Sequence, residues 1–175
     1  SLARTLAESE ARIAARCAAQ GVACTILRPT LIHDDDGADR SLARIAALAW
    51  RAGFFVLPAG ARGLRAPVHA DDVAAAVVAC AATGASANRA YDLPGGENVD
   101  YREMVARVLA TLSPKPRLVT IPDLVARPAL RLAARLAGAS PALVDRLYDD
   151  LVFDAGPARR DFGYAPRGFA PGATT

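Results

Sequence analysis

The chain has almost no lysine: of its 21 basic residues, Lys115 alone is not arginine. Aromatic residues make up only 6% of the 175 positions, and the arginines are scattered rather than gathered. A nucleic-acid interface needs clustered cations interleaved with stacking aromatics, so nucleic acid is excluded as a partner despite a formal charge of +3. No run of 18 apolar residues occurs, and the longest alanine- and valine-rich tract, residues 73–82, is too short to be a transmembrane helix. The three cysteines, Cys17, Cys24 and Cys80, form no CxxC pair and no spacing with the two histidines that would hold a metal. They read as buried free thiols of a reducing compartment, which makes the cytoplasm the expected location.

What is present is an alternating α/β pattern organised around residues 22–33. The 53% hydrophobic content is enough for one core in one domain of this length. Val22 to Leu27 is an apolar, β-branched run that predicts a buried parallel strand. Arg28-Pro29 ends it, and the acidic, glycine-containing residues 34–39 follow as a loop. In open α/β sheets ligands bind at such carboxyl ends, where strand ends and helix amino termini converge. Upstream, Leu2, Leu6, Ile13 and Cys17 predict an amphipathic helix over residues 2–20, patterned for tertiary contact and stopped by Gly21. Because the chain opens with Ser1 and already carries this helix, it is expected to continue a longer protein.

Downstream, Asp39 or Ser41 caps a helix to about Ala52, which Gly53 stops. Residues 54–58 are apolar, and Asp71 and Asp72 open a helix through Ala82. Ala90 to Leu93 predicts a short strand, and Asp100 to Glu103 has capping-box spacing for a helix to about Leu112. A strand over residues 117–121 precedes a helix that Pro128 either kinks or delays. Ser140-Pro141 opens a last long helix to about Leu151, and the tail from Gly163 wraps the surface.

Thr25-Ile-Leu-Arg-Pro-Thr-Leu-Ile-His33, then Gly63-Leu-Arg-Ala-Pro-Val-His-Ala-Asp-Asp-Val-Ala74, then Tyr91-Asp-Leu93 and Tyr101-Arg-Glu103 occur in that order. Together they resemble the carboxy-terminal half of the NAD(P)-dependent epimerase/dehydratase family, the extended and atypical short-chain dehydrogenase/reductases. The resemblance covers residues 20–112 well, and Ala158 to Arg167 resembles the family's ending. It implies an α/β fold: the carboxy-terminal part of a Rossmann-like doubly wound sheet with a small, mostly helical substrate-binding lobe. Residues 1–175 then form one carboxy-terminal portion, and NAD or NADP is bound mainly by an amino-terminal part that this sequence lacks. No Gly-x-x-Gly-x-x-Gly turn occurs, and Lys115 has Thr111 four residues before it where a Tyr-x-x-x-Lys pair needs tyrosine. The helix that carries the family's lysine corresponds to residues 2–20, which hold Arg4, Glu8 and Glu10. No catalytic residue is therefore assigned.

The resemblance places Pro29, Thr30 and Leu31 against the nicotinamide, with simple strand termination as the alternative. It places Arg65 on substrate phosphates, a task that suits a planar bidentate fork; a salt-bridging surface arginine is the alternative. His33 and His69 fall at substrate-side positions and compete with ordinary structural roles, as Asp72 competes with a plain N-cap. Phe55 and Leu57, with Pro58, match a segment that touches the nucleotide base, against core packing. Asp35-Asp36-Gly37-Ala38-Asp39 spells a DDxxD string, but it follows a strand and contains glycine, so a solvated capping loop is expected and no metal. Arg127, Arg131 and Arg135 among leucines read as the solvated face of the small lobe rather than a membrane or partner surface.

The function implied is the substrate-binding side of a nicotinamide-dependent epimerase, dehydratase or reductase. Its expected partner is a small molecule such as a nucleotide sugar, with a homodimer as the expected assembly. The rival is a non-catalytic dinucleotide-binding sensor, or an accessory or assembly subunit of a respiratory complex, of the same fold.

Overall fold

The computed structural model describes residues 2–35, 40–136, 138, 140 and 142–172. Alanine-rich sequence and an Arg4–Glu8 pair at 2.9 Å build α1 (Leu2–Ala19), and Gly21 closes it at φ +67°. The expected tertiary contact is missing: Leu6 and Ile13 stay 56% and 55% exposed. An amphipathic face is buried only where another layer covers it, and among the described residues nothing covers this one.

β1 (Ile26–Pro29) starts four residues later than the apolar run predicts. Its ladder begins where its partner begins: Ile26 pairs with Ala90, the first residue of β6 (Ala90–Leu93), in parallel register. Just upstream, the Cys24 N–H donates to Asn88 Oδ1 at 3.1 Å and the Thr25 hydroxyl to the Ser86 carbonyl at 2.9 Å. These contacts tie residues 24–25 to a turn instead of a strand. Among the described residues β1 pairs on one side only, so it is half-buried rather than buried, and an edge position tolerates Pro29, which has no N–H to give.

β2 (Ile32–His33) pairs in parallel with β5 (Val68–His69), which sets the two histidines opposite each other. α2 (Arg40–Ala52) stops at Gly53, φ +74°, as expected; its proposed cap Asp39, and Asp36 to Asp39 of the DDxxD string, lie outside the described residues. β3 (Phe54–Pro58) pairs in parallel with β8 (Arg117–Ile121), and β4 (Leu64–Arg65) pairs antiparallel with β7 (Val99–Asp100). α4 (Tyr101–Ala110) is capped as expected, Asp100 accepting from the Glu103 N–H at 2.8 Å. Only half of the capping box forms, because the Glu103 carboxylate turns to Arg107 at 2.9 Å.

α3 (Ala70–Ala81) begins one residue before Asp71, and α5 (Asp123–Leu136) runs through Pro128 rather than starting late. α6 (Ala142–Asp145) ends six residues short of the expected Leu151, and Pro141 lies outside the described residues. The shortening has a tertiary cause. Residues 147–151 are drawn onto β4: the Gly63 N–H donates to the Leu147 carbonyl, the Leu64 N–H to Asp150 Oδ1, and the Leu151 N–H to the Leu64 carbonyl. α7 (Gly156–Phe162) closes at Gly163, φ +71°, and the tail is held where the Tyr164 hydroxyl donates to the Pro94 carbonyl at 2.8 Å.

Two apolar clusters result. One joins α2, α4, β3 and β7 through Leu42, Leu57, Val99, Met104 and Val105, and Phe169 of the tail seals it. The other joins α3, β6 and α7 through Ala76, Tyr91, Leu93, Ala158 and Tyr164. Cys80 is buried as expected, whereas Cys17 and Cys24 are only half-buried because α1 and the start of β1 lack a covering layer.

Candidate functional site

The carboxyl end of β1 opens onto a cavity of about 610 Å³ between α1, β1 and β6. Leu6, Leu27, Pro29 and Phe153 supply apolar wall, and Glu10, Arg28 and Asp92 supply charge. Thr30 stands at the rim, its hydroxyl donating to the Ala66 carbonyl and its N–H to the Leu93 carbonyl at 3.3 Å. The next carbonyl, Leu31, accepts from the Val68 N–H at 2.8 Å. The chain is thus held on both sides as it leaves β1, which gives the rim a defined backbone path.

Inside the cavity the charges are already paired. Arg28 Nε reaches Glu10 Oε1 at 2.9 Å and Nη2 reaches Oε2 at 2.5 Å, a two-pronged contact between strand and helix. The hydrogen bond from Arg28 holds the Glu10 carboxyl below its usual range, and the same bond raises the Arg28 pKa. Asp92, opposite Arg28 in the ladder, lies 3.9 Å from its other nitrogen. Glu10, Arg28, Asp92 and Phe153 were not singled out as site residues. Arg28 and Asp92 carried a signal, since both sit on strands whose ends meet; Glu10 and Phe153 reach the cavity only through tertiary packing.

The expected substrate-side residues do not line this cavity. Phe55 and Leu57 pack in the α2–α4 cluster, Leu57 only 3% exposed. His33 and His69 are both buried, their rings edge to face with centroids 5.1 Å apart, and Phe169 stands 5.0 Å from His33. His69 caps α3: its Nδ1 accepts from the Asp71 N–H at 3.1 Å, which leaves the ring proton on Nε2, 3.4 Å from Asp35 Oδ2. The cap expected from Asp71 or Asp72 therefore comes from His69. Asp72 instead accepts from the Arg167 backbone N–H at 2.9 Å and from its Nε at 3.0 Å, tying the tail to α3.

Arg65 is 8% exposed and lies under residues 146–151. Its Nη1 donates to the carbonyls of Leu64 at 2.7 Å and Asp149 at 2.8 Å, its Nη2 to that of Arg146, and its guanidinium sits 5.5 Å from the Tyr101 ring centre. Burial lowers its pKa, with Tyr101, Asp149 and Asp150 opposing the shift. Nearby, the Tyr148 hydroxyl donates to Asp123 at 2.8 Å, and Arg127 stacks 3.9 Å from the Tyr148 ring centre. Among the described residues, no group of three His, Cys, Asp or Glu side chains could hold a metal ion, and no helix is long and apolar enough to cross a membrane.

No protein-family model and no curated protein matches the sequence. Solved structures do match in shape. UDP-glucose 4-epimerase of Thermotoga maritima, solved with UDP-glucose, aligns with TM-score 0.63 and 14% identity over 91% of this chain and 46% of its own. The dTDP-glucose 4,6-dehydratase of Streptomyces venezuelae aligns with TM-score 0.55 and 20% identity over 89% and 42%. An NADPH-dependent quinone oxidoreductase of Escherichia coli aligns with TM-score 0.58 and 19% identity over 94% and 58%. The chain spans about half the length of these structures. It has the fold of part of the NAD(P)-dependent epimerases, dehydratases and related reductases.

Proposed function

We propose that the chain supplies the substrate-facing side and one wall of the nicotinamide site of an NAD(P)-dependent epimerase, dehydratase or reductase. The observation that carries the proposal is the cavity at the carboxyl end of β1, where Pro29 and Thr30 meet the apolar side chains of Leu6, Leu27 and Phe153. Its 610 Å³ exceeds the bulk of a nicotinamide ring, and apolar side chains beside a fixed backbone rim suit such a ring. Pro29, Thr30 and Leu31 would hold the nicotinamide, which supplies hydride exchange when bound. The chain's own residues offer the ring apolar surface and fix the rim through the Thr30 and Leu31 hydrogen bonds. Proton transfer is assigned to no residue here. Nucleotide sugars enter as a candidate substrate class from the epimerase and dehydratase names above.

Nicotinamide mononucleotide titrated into the ¹⁵N-labelled chain tests the proposal. Shifts concentrated at the Thr30 and Leu31 amides are expected; shifts elsewhere, or none, would sink it. NADH is expected to bind no more than about tenfold tighter than the mononucleotide, since the pyrophosphate normally rests on a glycine-rich helix start that this sequence lacks. Tight, saturable NADH binding by fluorescence would overturn that division of labour.

A second reading, a non-catalytic dinucleotide-binding sensor or respiratory-complex accessory protein, is favoured by one observation. Glu10, on the helix that corresponds to the family's lysine helix, is locked to Arg28 at the cavity wall. If the chain bound nicotinamide mononucleotide at the Thr30 rim but bound neither a nucleotide sugar nor a carbonyl compound, the sensor would be favoured.

A further inference from the structure

We infer that the substrate side of this site takes an uncharged, apolar carbonyl compound or the corresponding alcohol, and not a phosphate-bearing one. The inference rests on the nicotinamide-linked proposal above and narrows its substrate class away from nucleotide sugars.

Three observations carry it. The cation that the sequence offers for phosphate is already in use: Arg65 directs three hydrogen bonds at the backbone carbonyls of Leu64, Asp149 and Arg146 and is buried against Tyr101. Turning that fork to a phosphate would strip those carbonyls of their donor and release the segment they hold. The charges lining the cavity sum to an excess of one carboxylate, since Glu10 and Asp92 face the single guanidinium of Arg28. A dianionic pyrophosphate is repelled there, and Arg28 has its fork closed by Glu10. Finally, the remaining wall is apolar. Phe153, an aromatic ring left 45% exposed, belongs to the stretch that leaves the Arg65-pinned segment and reaches the cavity beside Leu27 and Pro29. A large exposed aromatic at a cavity mouth gains most from a planar apolar guest.

The experiment titrates the whole ¹⁵N-labelled chain with acetophenone and, separately, with UDP-glucose at equal concentration. Acetophenone is expected to shift the Leu27, Thr30 and Phe153 amides, and UDP-glucose to bind at least about tenfold more weakly. Phe153→Ala, a change at a half-exposed side chain outside both apolar clusters, should weaken acetophenone about fivefold. Saturable UDP-glucose binding with shifts at Leu64 and Asp149 would overturn the inference, as would acetophenone shifts indifferent to Phe153→Ala. If nicotinamide mononucleotide shifts Thr30 and Leu31 while acetophenone shifts nothing, the substrate class is wrong and the nicotinamide wall stands. If the mononucleotide fails too, both fall.

Discussion

Two of the parallel strand pairs, β3–β8 and β1–β6, are built alike and packed differently. β3 and β8 have α2 and α4 on the inner face, and the cluster beneath them holds eleven buried residues, Met104, Val105 and Leu109 among them. β1 and β6 have α3 and α7 on one side and six buried residues in their cluster; among the described residues each strand of both pairs has one unpaired edge. The first region buries the larger core on one face and leaves Phe54, Val56 and Val119 exposed on the other; the second buries a smaller core. The difference teaches why the candidate site lies where it does: the cavity sits beside the pair with the smaller core, where α1 stands off β1 and leaves Leu6 exposed.

The sharpest way to break that contrast is to cut into each region once. Met104, 1% exposed, lies in the larger core, and Met104→Ala is expected to cost about 2–5 kcal/mol. Leu6→Ala, on the uncovered helix, is expected to change stability by less than about 0.5 kcal/mol. Urea unfolding of both variants measures this, and equal costs would show that α1 is packed as firmly as α4.

Next in size is the alkaline limit, which places one reporter in each region. Burial pushes the Tyr148 hydroxyl up to about 12, with its bond to Asp123 adding to the shift, and burial with the nearby Asp72 charge pushes Tyr164 up to about 12. A folded pKa above the unfolded value of about 10 means stability that is whole below pH 10 and lost as pH climbs through 12. Tyrosinate absorbance should therefore show neither group titrating near 10 while the chain is folded. Asp123→Asn is expected to lower the Tyr148 transition alone; if Tyr164 moved with it, the two regions would be one electrostatic unit.

The smallest effect concerns the cap that starts α4. Asp100→Ala removes the acceptor of the Glu103 N–H and is expected to cost about 1 kcal/mol, read as a fall in the urea midpoint. A neutral outcome would mean that the packing of α4 against α2, rather than its cap, sets the register of the region with the larger core.

Much of this was legible in the chain. Gly21, Gly53 and Gly163 mark three helix ends because each adopts positive φ, which disfavours residues with a Cβ. The Asp100 cap, β6 and β8 were legible for the same kind of reason, that local pattern and local turn chemistry agree, whereas residues 54–58 read only as apolar and became β3 by pairing with β8. The errors share another cause. β1 begins late, α6 ends early and α1 stays exposed because each boundary is set by a partner distant in sequence, respectively β6, β4 and a layer absent among the described residues.

The candidate site divides along the same line. Sequence by itself determined that a strand ends at Pro29, because an apolar run broken by Arg-Pro loses the N–H that a continued ladder needs. It could not determine what each side chain there would do. Arg65 looked free to bind phosphate, and only the fold delivered the carbonyls of residues 146 and 149 to its fork. Glu10 and Phe153, eighteen residues before and 125 residues after Arg28, came to its cavity through packing alone. Hydrogen-bonding capacity is written in the residue type; whether it remains available depends on which distant backbone arrives first, and that is a property of the tertiary structure.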